Sequence, residues 1–123
     1  MQHCLVIDDS DIVRKFGRLI FESLGYRVSD SATIDDALWQ RIHADPPNMA
    51  LVDWRVPGAN THEFIARLRQ TDLGTRTTIL YMPTENDALD LQRALTAGAD
   101  SVMMKPFNRE IVEMKLHEMR VAA

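Results

Sequence analysis

The chain has 123 residues, 46% hydrophobic and 26% charged, the composition of one ordinary globular domain. Its 18 acidic and 14 basic residues leave a net charge of −4, which argues against a general nucleic-acid binder, since that role needs a basic footprint. No run approaches the roughly 18 apolar residues of a membrane span, and the start lacks the basic-then-apolar layout of a signal peptide, so neither a membrane partner nor secretion is expected.

Five short apolar runs alternate with helical patterns, the signature of a parallel sheet covered by helices on both faces. The first run, Cys4 to Asp8, contains the only cysteine, read as a buried small hydrophobe in a reducing, cytoplasmic setting. Ile12, Val13, Phe16, Leu19, Ile20 and Leu24 then follow helical spacing and stop at Gly25 as C′ residue. Tyr26 to Asp30 is a second strand, polar enough for a sheet edge, and Thr33 is the expected N-cap of a second helix, with Asp36 three residues on. Met49 to Asp53 is a central strand. Asn60 and Glu63 make a capping-box-like start for a helix that buries Phe64, Ile65 and Leu68, with Arg67 and Arg69 on its wet face. Thr78 to Met82 is the fourth strand, Glu85 to Ala97 the fourth helix with Gly98 as its stop, and Ser101 to Met104 the fifth strand. The fifth helix follows Asn108 and carries Ile111, Met114 and Leu116 before the chain stops at Val121-Ala122-Ala123. With no linker or repeat in view, residues 1–123 read as one domain without an output domain.

In an open parallel sheet, ligands sit outside the carboxyl ends of the strands, near the point where strand order reverses. The first strand here ends in Asp8-Asp9, the third in Asp53, the fourth in Met82-Pro83-Thr84 and the fifth in Lys105-Pro106. Three carboxylates and an ammonium therefore share one rim. Such acids repel one another unless a cation joins them, and hard oxygens with room for water favour Mg²⁺. An aspartate beside Mg²⁺ and a lysine is equipped to attack phosphorus, which makes Asp53 the nucleophile candidate. His3, His43, His62 and His117 lack metal-ligand spacing and read as surface or packing residues.

Val6-Ile7-Asp8-Asp9-Ser10, Leu51-Val52-Asp53-Trp54-Arg55-Val56-Pro57-Gly58, Ala97-Gly98-Ala99-Asp100 and Lys105-Pro106-Phe107 occur in an order and spacing that resembles the receiver domains of two-component response regulators, across essentially the whole chain. The resemblance implies a doubly wound α/β sheet of order 2-1-3-4-5, flavodoxin-like or CheY-like, with phosphorylation of Asp53 by a histidine kinase or histidine phosphotransferase. It implies Mg²⁺ held by Asp9, Asp53 and the Arg55 backbone carbonyl, with Asp8 acting largely through water. It also implies Lys105 on the phosphoryl oxygens, a cis Lys105-Pro106 bond, and downstream contacts on the face of the fourth helix, fifth strand and fifth helix. Thr84-Glu85-Asn86-Asp87 is similar to stand-alone chemotaxis-type regulators.

Two positions depart from the family. Its small hydroxyl residue at the end of the fourth strand falls on Pro83, which offers neither hydroxyl nor N–H, and its fifth-strand aromatic falls on Val102. Thr84 either takes over the hydroxyl role or caps the fourth helix. Arg55 and Glu85 are expected across the mouth of the same pocket, where opposite charges can pair. Competing readings are a receiver-shaped scaffold that is never phosphorylated, a phosphatase using Asp9-Ser10-Asp11 as an Asp-x-Asp nucleophile motif, and a flavin-binding protein. The last is disfavoured because Asp8-Asp9-Ser10-Asp11 would repel a bare phosphate.

Overall fold

In the computed structural model, which describes residues 1–71 and 76–119, five strands and five helices alternate along the chain. They are β1 (His3–Ile7), α1 (Asp11–Ser23), β2 (Arg27–Ser31), α2 (Asp36–Ala44), β3 (Met49–Asp53), α3 (Thr61–Gln70), β4 (Thr78–Met82), α4 (Ala88–Ala97), β5 (Ser101–Val102) and α5 (Arg109–Glu118). All pairings are parallel and the order is β2-β1-β3-β4-β5, the doubly wound sheet expected from the sequence. The terminal Val121-Ala122-Ala123 lies outside the described residues.

Alternation along the buried strands sends side chains into two cores. Leu5, Ile7, Ala50, Val52, Ile79 and Tyr81 meet α2 and α3 through Leu38, Ile42, Phe64 and Leu68, while Cys4, Val6, Leu51, Leu80 and Met82 meet α1 and α5 through Phe21, Val112 and Leu116. Cys4 is fully buried, and burial pushes its thiol far above the ordinary range, so it packs as a hydrophobe.

Several boundaries differ from the sequence reading. β1 and β2 are each shifted by one residue, leaving Asp8 just beyond its strand, and β5 keeps only Ser101 and Val102 of the expected run. Thr33 does not cap α2. Asp35 does, accepting from the Leu38 N–H, while the Thr33 hydroxyl donates to Asp35. α4 begins at Ala88 rather than Glu85, because the Asp87 carboxylate accepts from the N–H groups of Leu89 and Asp90. In α1 the buried stripe is Gly17, Ile20 and Phe21, whereas Ile12 is 79% exposed and Leu19 67% exposed. In α5, Val112 and Leu116 are buried, and Ile111 and Met114 face outward. Arg69 is no solvated arginine: it donates to the carbonyls of Gly98 and Thr77 and to Asp100, stapling α3 to the α4–β5 turn, and Arg67 lies 4.3 Å over the Trp39 ring.

The β2 edge is covered. Arg27 N–H and Ser31 C=O face β1, so the carbonyls of Val28 and Asp30 point outward; Arg18 of α1 donates to the first at 2.7 Å and Arg41 of α2 to the second at 2.8 Å.

Two loops at the carboxyl end of the sheet also lock together. Gly58 has φ +101°, and a Cβ there would overlap the Ile34 carbonyl oxygen, while Ile34 N–H donates to Pro57 C=O at 3.0 Å. Gly58→Ala should therefore cost more than about 1 kcal/mol in urea unfolding, since both the positive φ and the contact oppose it. Unchanged stability would mean that the loop has room to move aside.

Candidate functional site

The sheet delivers its acids to one rim. Asp8 follows β1 and is 0% exposed, Asp53 ends β3 and is 2% exposed, and Asp9 beside them is open to solvent. One carboxylate oxygen from each lies within 4.8 Å of the others. Lys105 arrives from beyond β5 through the cis Lys105-Pro106 bond that the family resemblance implied. Its Nζ donates to Asp8 Oδ2 at 2.9 Å and Asp53 Oδ1 at 2.5 Å, so one ammonium bridges two buried carboxylates.

Neighbouring backbone holds this cluster in place. The Ser10 N–H donates to Asp8 Oδ1 at 2.9 Å, Ser10 caps α1 through the Val13 N–H, and Arg14 Nη1 donates to the Asp8 carbonyl at 2.7 Å. Ser10 and Arg14 are the positioning residues that strand-end reasoning passed over. A capping serine directly after the acids is the signal that marks the first.

Burial raises the Asp53 carboxyl above its ordinary value, the Asp8 charge adds to that, and the Lys105 hydrogen bond opposes both. Burial alone would lower the Lys105 ammonium, but hydrogen bonds from it to Asp53 and Asp8, and their charges, hold it above its ordinary value. The ammonium thus stays charged where negative charge collects. A carboxylate so placed has a cation on one side and an acidic, partly open rim on the other, which suits nucleophilic attack on an electrophile that itself carries negative oxygens.

The remaining candidates fall into two groups. Arg55 follows Asp53 by two residues in the same loop, but its side chain lies 4.2 Å over the Trp54 ring. It shares a hollow of about 230 Å³ with Glu85, Asp87 and Asp90, so Arg55 and Glu85 do line one pocket, but no ion pair joins them among the described residues. Thr84 is exposed in the β4–α4 loop and does not cap α4, a role that falls to Asp87. Pro83 is buried, and its carbonyl accepts from the Lys105 N–H at 2.9 Å.

The family model for the response regulator receiver domain matches residues 4–117. Among curated proteins, the chain is 28% identical over 116 residues to transcriptional regulatory protein AfsQ1 of Streptomyces coelicolor, covering 94% of this chain and 50% of that protein. It is 26% identical over 113 residues to chemotaxis protein CheY1 of Helicobacter pylori, covering 91% of each. The chain thus spans about half the length of the first relative and nearly all of the second. Among solved structures, chemotaxis response regulator CheY4 of Vibrio cholerae superposes with a TM-score of 0.86 at 26% identity, over 97% of this chain and 98% of that one. A response regulator from Chloroflexus aurantiacus does so with a TM-score of 0.85 at 28% identity, over the same shares. Fold, strand order and motif placement agree with these likenesses, and the chain belongs to the response regulator receiver domain family.

Proposed function

We propose that this receiver domain takes a phosphoryl group onto Asp53 from a histidine kinase or histidine phosphotransferase and signals by the change that follows. The observation that carries the reading is the Lys105 bridge between buried Asp8 and Asp53 with Asp9 at the open side. In the transfer, an Asp53 carboxylate oxygen attacks phosphorus, the P–N bond of the phosphohistidine breaks, and the imidazole leaves with the bonding electron pair. Lys105 stabilises the oxygens of the group in flight, and burial of Asp53 keeps bulk water from competing for it.

Asp8, Asp9, Asp53 and the Arg55 backbone carbonyl would hold Mg²⁺, a fit supported by three hard carboxylates converging within 4.8 Å. Bound there, the ion supplies charge neutralisation for the transferring group. Because it relieves repulsion only in the folded chain, stability should rise by about 1.4 kcal/mol when free Mg²⁺ is roughly tenfold above Kd. Trp54 fluorescence should change in parallel, read in a Trp39→Phe background. Equal melting temperatures in Mg²⁺ and in EDTA would count against the site.

No helix among the described residues is long and apolar enough to cross a membrane. Leu89 and Leu95 on α4 and Ile111 and Met114 on α5 are exposed, which suits a protein partner on the face formed with β5. Incubation with Mg²⁺ and acetyl phosphate, followed by intact mass and peptide mapping, should place one base-labile phosphoryl group on Asp53. Its appearance on Asp9 would favour the phosphatase reading instead.

A further inference from the structure

A polar cluster lies on the sheet face opposite the Asp53 carboxylate. Tyr81 of β4 is 0% exposed, yet its hydroxyl donates to both carboxylate oxygens of Asp90 at 3.0 and 2.9 Å. Asp90 sits in the first turn of α4, where its N–H is held by Asp87, and its Oδ1 is 3.1 Å from His62 Nε2 of α3. The His62 ring in turn packs on Tyr81, with centroids 5.6 Å apart. The Tyr81–Asp90 bond therefore ties β4 to α4, while His62 Nε2 lies beside the same carboxylate without the geometry of a hydrogen bond. A buried phenol that lost this acceptor would be left with its desolvation cost uncompensated, so the bond matters to stability. Burial and the bond to Asp90 push the phenol far above its ordinary value, which keeps it a donor.

The strand that carries Tyr81 is wired to the phosphoacceptor site through three consecutive carbonyls. Tyr81 C=O accepts from Met103 N–H at 2.8 Å, Met82 C=O from Trp54 N–H at 3.2 Å, and Pro83 C=O from Lys105 N–H at 2.9 Å. Met82 also pairs in register with Asp53. A shift of Lys105 or of the residue after Asp53 therefore moves the end of β4, and Tyr81 with it. Pro83 and Val102 contribute no hydroxyl or aromatic group of their own to such a route.

We propose that the Tyr81–Asp90 bond, with the His62 ring packed against Tyr81, is a latch that holds the first turn of α4 against β4, and that modification of Asp53 acts on α4 by straining this latch. The proposal rests on Asp53 as phosphoacceptor. In the unmodified chain the latch is closed, as the distances show. When Lys105 and Trp54 follow the phosphoryl group, the end of β4 is drawn with them, the Tyr81–Asp90 bond lengthens, and α4 loosens.

Hydrogen exchange of the α4 amides, measured on the full chain with and without Mg²⁺ and acetyl phosphate, tests this. Phosphorylation of the wild type should speed α4 exchange; Tyr81→Phe should raise it about tenfold without any phosphodonor, the loss of one charge-assisted bond. Phosphorylation should then add little further. Asp90→Ala, which leaves the buried phenol without its acceptor, should raise exchange at least as much as Tyr81→Phe, and the double variant should exchange no faster than Asp90→Ala alone, as expected when both remove one interaction. Wild-type α4 exchange in unphosphorylated Tyr81→Phe, additive effects in the double variant, or a full-sized phosphorylation response in either single variant would overturn the latch. Intact mass on the same samples reports the phosphoryl group independently, and the phosphodonor-free arm reads the latch even where no group is gained.

Discussion

Lys105→Ala is expected to lower the stability of the metal-free chain at pH 7 by about 3–5 kcal/mol, the range for stripping one partner from a buried ion pair. Lys105 is the cation bonded to both Asp8 and Asp53, whose side chains are 0% and 3% exposed, so its loss leaves two buried carboxylates facing each other. The folded-state pKa of Asp53 must then rise further above its unfolded one, in the direction it already shows. A carboxyl raised in the folded state binds more protons folded than unfolded, so the penalty is full at neutral pH and fades as pH falls through the raised folded value. Urea unfolding of wild type and variant at about pH 7 and pH 4.5 should show the difference shrinking in acid. Mg²⁺ should restore part of it by replacing the missing charge. A cost below about 1 kcal/mol at pH 7, or one that grows in acid, would show that the lysine is not the counter-charge of the site.

Asp53→Asn should abolish the phosphoryl gain altogether. The amide keeps the shape of the side chain but offers no anionic oxygen to attack phosphorus. Lys105→Ala should behave differently, keeping the acceptor and slowing its phosphorylation about 10²–10³-fold, the usual loss when one group facing developing charge is removed. Asp9 is exposed and not bonded to Lys105, and Asp9→Asn should act through metal requirement rather than through loss of the acceptor. Time courses of intact mass with acetyl phosphate, taken at several Mg²⁺ concentrations, separate the three variants. A wild-type phosphoryl gain in Asp53→Asn would remove Asp53 from its assigned role.

Much of this was legible because the informative residues stand at the ends of apolar runs. Asp8, Asp53 and Lys105 mark where strands stop, and parallel strands bring their carboxyl ends to one rim whatever the helices do. Side-chain direction was less legible. The first helix shows two adjacent apolar stripes at helical spacing, and only tertiary packing selects Gly17, Ile20 and Phe21 over Ile12, Phe16 and Leu19. The β4–α4 loop offers Thr84, Glu85, Asn86 and Asp87 in succession, each a plausible helix starter, and the position of α4 chooses the last. Tyr81 reads as one more apolar residue in a buried strand, because its acceptor, Asp90, lies nine residues on in another element. Arg55 was matched to Glu85 by charge, yet the face of Trp54 next to it in sequence offered a nearer partner.

The two arginines lying along β2 bear on how the molecule behaves in a crowd. An open strand edge is a template on which another chain can add its own strand, and that addition is how many sheet proteins aggregate. Here Arg18 and Arg41 occupy the two outward carbonyls from opposite faces, so an incoming strand would first have to strip away two guanidinium groups and then leave both charges beside its own backbone. The β2 flank is thereby a poor template for strand addition by another copy of the chain.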